Sequence, residues 1–170
     1  MRSIAGLAAG SLLSLAFHDV PCAQQGAASV GGVAALVPII GVWQSDTTDG
    51  VSARSNCVWT PEHGAVLCEQ RIVTPSGAKS ALSLFSFGSR SHKYVFYGLS
   101  DPGDPMRPVS LVIRGAIWIY GGDHKNDDGK FYRTVNDFSA HDHYTWRQES
   151  SVDGAIWVPG SGGSSRRVQR

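Results

Sequence analysis

The chain has 170 residues, enough for one domain with a core of useful size. Its net charge of +1, with 17% charged residues, gives no reason to expect nucleic acid or an anionic membrane as a partner. Twenty glycines, eight prolines and few long amphipathic runs argue against a helical bundle and for an all-β protein with many turns.

The first residues read as a secretory signal. Arg2 supplies the positive start, Ile4 to Phe17 an apolar stretch, and His18 to Ala23 a polar break ending on a small residue. A cut after Ala23 gives a signal of residues 1–23. Gly26-Ala27-Ala28 is the alternative cut, because Pro21 stands third before the first one. Asp19-Val20-Pro21 ahead of Cys22 is a poor lipobox, so no lipoprotein is expected. The apolar stretch is shorter than the roughly 20 residues that span a bilayer, and no later segment is long enough. The mature chain is therefore expected outside the cytoplasm, periplasmic or extracellular, as a monomer with no membrane span. Residues 24–35 read as a flexible leader and 36–168 as the folded domain.

Val33 to Ile40 predicts a short helical turn, ended by Pro38 and Gly41, whose Leu36, Ile39 and Ile40 could plug one end of a barrel. Gly41–Asp46 is the first strand. Next come Arg54–Thr60 and Ala65–Thr74, joined by the turn-like Pro61-Glu62-His63-Gly64. Pairing Thr60 with Ala65 sets Cys57 directly opposite Cys68, and an exported chain favours a disulfide between them. Two buried thiols or half of a metal site are the rival readings. No second cysteine pair exists, and the spacing is not that of a zinc site.

Ser80–Phe87, Lys93–Leu99, Val109–Ile113 and Ala116–Tyr120 follow, the last two separated only by Arg114-Gly115. Gly121 to Lys130 reads as a polar loop. Phe131–Phe138 and His143–Ser150 form a further hairpin, and Asp153-Gly154 is a two-residue turn signal leading into Ile156-Trp157. Pro159 to Gly163 reads as a flexible tail before a short last strand at Ser164–Val168. About nine or ten short strands at near-regular spacing predict an up-and-down antiparallel barrel of about 8–10 strands, with a sandwich as the alternative.

Few residues point to chemistry. There is no Gly-x-Ser-x-Gly elbow, and the cysteines are better used in the disulfide. Asp123 to Lys130 does not fit an EF-hand, because His124 and Val135 fall where carboxylates are needed. Ser151 to Trp157 resembles one Asp-box, but a turn followed by a packed Trp explains it better. His141 and His143, alternate residues near a strand end, form the best metal candidate, set against two solvated rim histidines.

Pairing Phe138 with His143 places Phe131, Arg133 and Val135 on one face with Tyr144, Trp146 and Gln148, and the Asp153-Gly154 turn adds Trp157. That face is the apolar one and is expected inward. Arg133 is then either a polar anchor for an acidic or carbonyl group of an apolar ligand, or a buried cation paired with Asp137. The paired cation is the favoured reading.

The order of Gly41-x-Trp43, Cys57-Val-Trp59, Cys68-Glu-Gln, Gly129-Lys130-Phe-Tyr-Arg133 and Glu149-Ser-Ser-x-Asp153-Gly154-x-x-Trp157 resembles small exported bacterial barrels of uncharacterised function. These are related to the lipocalins (calycin-like barrels), and the likeness covers Leu36 to Val168. It implies a closed antiparallel barrel with a central cavity, and it supplies no enzyme activity to carry over. It also implies that Trp43 packs at the barrel's end beneath an arginine near the last strand, Arg166 or Arg167.

The function expected is non-enzymatic binding of a small, largely apolar molecule, with Arg133, Gln148, Tyr144, Trp146 and Trp157 lining or closing the cavity and no cofactor. The alternatives are an envelope interaction module using the rim loops Asp101–Pro108 and Asp123–Lys130, and a haem-binding barrel of the nitrobindin kind. His63, His92, His124, His141 and His143 all fall at turns or strand ends, which counts against the haem reading.

Overall fold

The computed structural model describes residues 31–47, 50–99 and 108–168. The expected signal, most of the leader, and residues 101–107 of one rim loop lie outside the described residues. A 3-10 helix, Gly32–Ile39, precedes ten strands. These are β1 (Gly41–Thr47), β2 (Ser52–Trp59), β3 (Ala65–Thr74), β4 (Gly77–Gly88) and β5 (Lys93–Leu99). They continue with β6 (Pro108–Arg114), β7 (Ile117–Lys125), β8 (Phe131–Asp137), β9 (His143–Ser151) and β10 (Val158–Val168). Each strand pairs antiparallel with the next, and β10 returns to β1. The result is the expected all-β, up-and-down closed barrel with a short helical turn before its first strand, consistent with a lipocalin-like fold. Among the described residues, no helix is long and apolar enough to cross a membrane.

Alternation along each strand sorts the side chains into an inner and an outer wall. Around the closed ladder the inner positions run Trp43, Ser55, Gln70, Ala81 and, one step nearer the helix, Cys57, Cys68, Ser83. Phe85 lies opposite Phe96, Leu111 opposite Tyr120, and Trp118 opposite Asn136, which carries the same wall through β8. The core gathers at the helix end, where Leu36 and Ile39 pack with Trp43, Val66, Phe85, Trp118 and Phe138. The helix fills that end because its apolar residues have no other wet-free surface to meet, and Pro38 and the extended Ile40 stop it there.

Three local expectations are corrected. Pro159 to Gly163 belongs to β10, which runs unbroken across a register shift between Pro159 and Gly162. Asp153-Gly154 is not a two-residue hairpin: β9 ends at Ser151 and β10 begins at Val158. Here the Asp153 carboxylate accepts from the backbone of Ala155 (2.8 Å) and Ile156 (3.0 Å), so side-chain bonding holds open a longer turn. Gly121 to Lys130 is strand as far as Lys125, with a register shift between Gly121 and Lys125.

The fourth correction bears on function. Arg133 lies opposite Glu149, and Asp137 opposite Thr145, so β8 and β9 are offset by one residue from the expected pairing. The Asp137 carboxylate accepts from Ser139 N (2.9 Å) and from the Ser139 hydroxyl, which bends the chain at once. Phe138 meanwhile leaves β9 and donates its N–H to Ala116 O (2.9 Å). A one-residue change of register exchanges the faces. Tyr144, Trp146 and Gln148 therefore share the inner face with Thr134 and Asn136, whereas Phe131, Arg133 and Val135 lie on the outer wall.

Candidate functional site

The barrel interior holds a cavity of about 190 Å³ that is partly open to solvent. Its apolar lining comes from Ile39 of the helix and from Trp43, Phe85, Phe96 and the Cys57–Cys68 disulfide. Cys57 and Cys68 face each other with Cα atoms 4.0 Å apart, as the short turn at Pro61–Gly64 dictates. Both are buried, so the disulfide is an interior cross-link that forms part of the cavity wall.

The rest of the lining is polar and uncharged. Ser55, Gln70, Ser83, Thr134, Asn136 and the two tyrosines Tyr120 and Tyr144 contribute to it. Gln70 Nε2 donates to Ser55 Oγ at 3.2 Å, and Asn136 Nδ2 donates to the Tyr120 hydroxyl at 3.1 Å. Ser45 Oγ and Ser165 Oγ lie 2.6 Å apart. Burial pushes the Tyr144 hydroxyl up from its ordinary value, and hydrogen bonds from the Ser165 and Ser45 hydroxyls offset part of that. Tyr120 is pushed well up, first by burial and then by Tyr144, against a lowering by Asn136. Both phenols thus stay protonated across the physiological range. Asn136 Oδ1 is buried without a hydrogen-bond partner, as is Trp118 Nε1 on the residue opposite it.

Of the expected ligand residues, Tyr144 lines the cavity. Trp146 follows it on the inner face and packs where Gly163 leaves room, since a Cβ there would stand 3.1 Å from the indole. Gln148 is further along the same face, exposed, and accepts from Ser161 Oγ at 3.0 Å. Arg133 and Trp157 are elsewhere. The Arg133 guanidinium stacks on Trp157 with Cζ 4.0 Å from the ring centroid, on the outer wall. Its Nε donates to Glu149 Oε2 at 2.6 Å, while Arg147 Nε donates to Glu149 Oε1 at 2.6 Å. Arg133 pairs with Glu149 on the outer wall rather than with Asp137 inside the barrel, and Asp137 is engaged by Ser139 instead. The loop after β9 closes this outer site, for Trp157 Nε1 donates to Gly154 O (3.2 Å) and Ser151 Oγ accepts from Gly154 N (2.9 Å).

Arg167, rather than Arg166, covers Trp43. His141 and His143 are exposed, His143 Nδ1 lying 2.9 Å from Asp142 Oδ1, and no group of three metal-ligating residues occurs among the described residues. Among the described residues no histidine lines the cavity, and at its volume a porphyrin has no room. The residues present do not fit haem.

Sequence reasoning missed Tyr120 and Asn136. The hairpin between β6 and β7 could have found the first. Its turn is Gly115-Ala116, and pairing Arg114 with Ile117 puts Leu111 opposite Tyr120 on one face.

A scan against protein-family models finds no match, and a search of curated proteins finds no relative. The fold and site define a class by themselves: a ten-stranded antiparallel barrel, closed on itself, with a neutral interior cavity braced by a disulfide.

Proposed function

We propose that this chain is an exported, non-enzymatic barrel that binds a small, neutral, largely apolar molecule in its interior. The observation that carries the reading is the lining of the cavity. Aromatic and aliphatic side chains alternate in it with hydroxyls and amides, and among the described residues no charged side chain lines it. Pockets for small molecules have this composition, mostly apolar with a few placed polar groups. The volume is near that of cavities that take a single benzene-sized guest. An acidic ligand has no counter-charge inside, because Arg133 is held outside by Glu149. Arg133 is therefore not carried forward as an anchor for an acidic or carbonyl group. The disulfide supports an oxidising compartment, and closure of the sheet, which leaves no free edge, supports a monomer.

Calorimetric titration of the mature protein with benzene, toluene and indole tests the proposal. At least one should bind in the micromolar to low millimolar range and raise the melting temperature. Ser83→Leu, which places four carbons in the cavity, should abolish that binding while the protein still unfolds cooperatively. Binding that survives Ser83→Leu unchanged would place the ligand outside the barrel.

A further inference from the structure

Two polar groups in the cavity wall have unused hydrogen-bonding capacity, and they are bonded to each other. Asn136 is 8% exposed, and its Oδ1 has no partner. Its Nδ2 donates to the Tyr120 hydroxyl oxygen, which leaves the Tyr120 O–H free to donate elsewhere. Tyr120 is also buried, and both residues line the cavity. The pair thus offers one acceptor, Asn136 Oδ1, and two donors, the Tyr120 O–H and the second Asn136 N–H. The count does not depend on which way the Asn136 amide is turned. With the amide reversed, the phenol donates to Oδ1, and the remaining capacity is two amide N–H groups and a phenol lone pair.

We propose that the ligand is a compact neutral ring bearing a hydroxyl, seated with that hydroxyl against Asn136 and Tyr120; this rests on the cavity-binding reading above. A hydroxyl both donates and accepts through one atom, so it satisfies the pair in less space than an amide needs. Trp43, Phe85 and Phe96 then receive the ring, aromatic faces and edges meeting it in the cavity. A purely hydrocarbon guest would leave the Asn136 oxygen buried and unpaired, which is costly. A carboxylate would bring a charge where nothing opposes it.

Toluene and p-cresol share a methylated ring and differ by one hydroxyl, so paired titrations isolate the claim. The wild type should bind p-cresol about tenfold more tightly than toluene. Asn136→Leu and Tyr120→Phe should each bring that ratio close to one by weakening p-cresol binding about tenfold. Tyr120→Phe keeps the ring, and so guards against a variant that fails to fold. Equal affinity of the wild type for the two probes overturns the hydroxyl anchor while leaving cavity binding intact. A preference that persists in both variants overturns it as well. If neither probe binds the wild type, the anchor and the cavity-binding reading fall together.

Discussion

The guanidinium of Arg167 lies over the indole of Trp43, with Cζ 4.3 Å from the ring centroid. The two residues also face each other across β10 and β1. Around this stack the end of the 3-10 helix is satisfied: Trp43 Nε1 donates to Ile39 O (2.7 Å), and Arg167 donates to Pro38 O (3.3 Å) and to Ile40 O. A helix end leaves such carbonyls without partners, and a cation there is favourable. Gly41, with φ of 127°, holds a backbone conformation that residues with a side chain rarely adopt, and it leaves room for the Arg167 guanidinium. The Gly-x-Trp motif therefore has a local physical reason.

Trp43 is 1% exposed, so Trp43→Ala should cost about 3–5 kcal/mol in urea unfolding. Arg167→Lys, which keeps the charge but loses the stacked planar fork, should cost about 1–3 kcal/mol. An unchanged unfolding midpoint for Trp43→Ala would falsify the role of this end as the closure of the barrel.

The Cys57–Cys68 cross-link spans 11 residues of sequence, so its removal frees little chain. Reduction should lower stability by about 2–3 kcal/mol, near the low end for disulfides. Because both sulfurs are buried in the cavity wall, reduction by dithiothreitol should also be slow in the native state and accelerate sharply in mild denaturant. Timed quenching with iodoacetamide, read by mass spectrometry as the alkyl groups gained by the two thiols, gives both rates.

Glu149, only 6% exposed, is held by two arginines at once. Burial pushes its carboxyl up, but the hydrogen bonds from Arg147 and Arg133 outweigh that and leave it below the usual glutamate range. The folded value is the lower one, so the stabilisation is present above the unfolded value near about 4.3. It is lost as pH falls through the folded value. Glu149→Gln should cost about 1.5–3 kcal/mol at pH 7 and flatten the loss of melting temperature below about pH 4.5. Equal acid sensitivity of the two proteins would assign that loss to other carboxylates.

Gly163 lies where β10 crosses β1, and a Cβ there would meet Asp46 O and stand 3.1 Å from Trp146. Backbone cannot yield as a flexible side chain does. Gly163→Ala is expected to destabilise by about 1–3 kcal/mol, whereas Gly129→Ala, with open space around it, costs only its backbone strain. Paired thermal melts distinguish crowding from strain.

What was legible depended on how tightly each turn fixes its strands. Between Thr60 and Ala65 the chain has one short way round, and the Thr60 N–H to Ala65 O bond (2.9 Å) confirms the pairing that set Cys57 opposite Cys68. Between Phe138 and His143 the sequence left room for one residue more, and Asp137 capping Ser139 used it. Apolar content then misled the choice of face. Val135 is buried on the outer wall between Ile119 and Arg147, and Trp157 covers Arg133 beside it. The alternation rule assumes that the outer wall meets only water, and here a loop folds back upon it. The polar lining was hidden as well. Thr134 and Asn136 turn inward with the one-residue change of register, and the closed ladder sets Ser55 and Ser83 on the same wall.

The seam between β1 and β10 has a consequence in time. Ser45 and Ser165 meet across it, 120 residues apart in sequence, so the seam is among the last contacts the chain can make. Until it forms, the sheet is an open ribbon whose two outermost strands present unpaired amides and carbonyls to whatever copy of the chain is nearby. Refolding yield should therefore fall with concentration much more steeply than native solubility does. A chain released before Ser164 would keep both borders bare indefinitely.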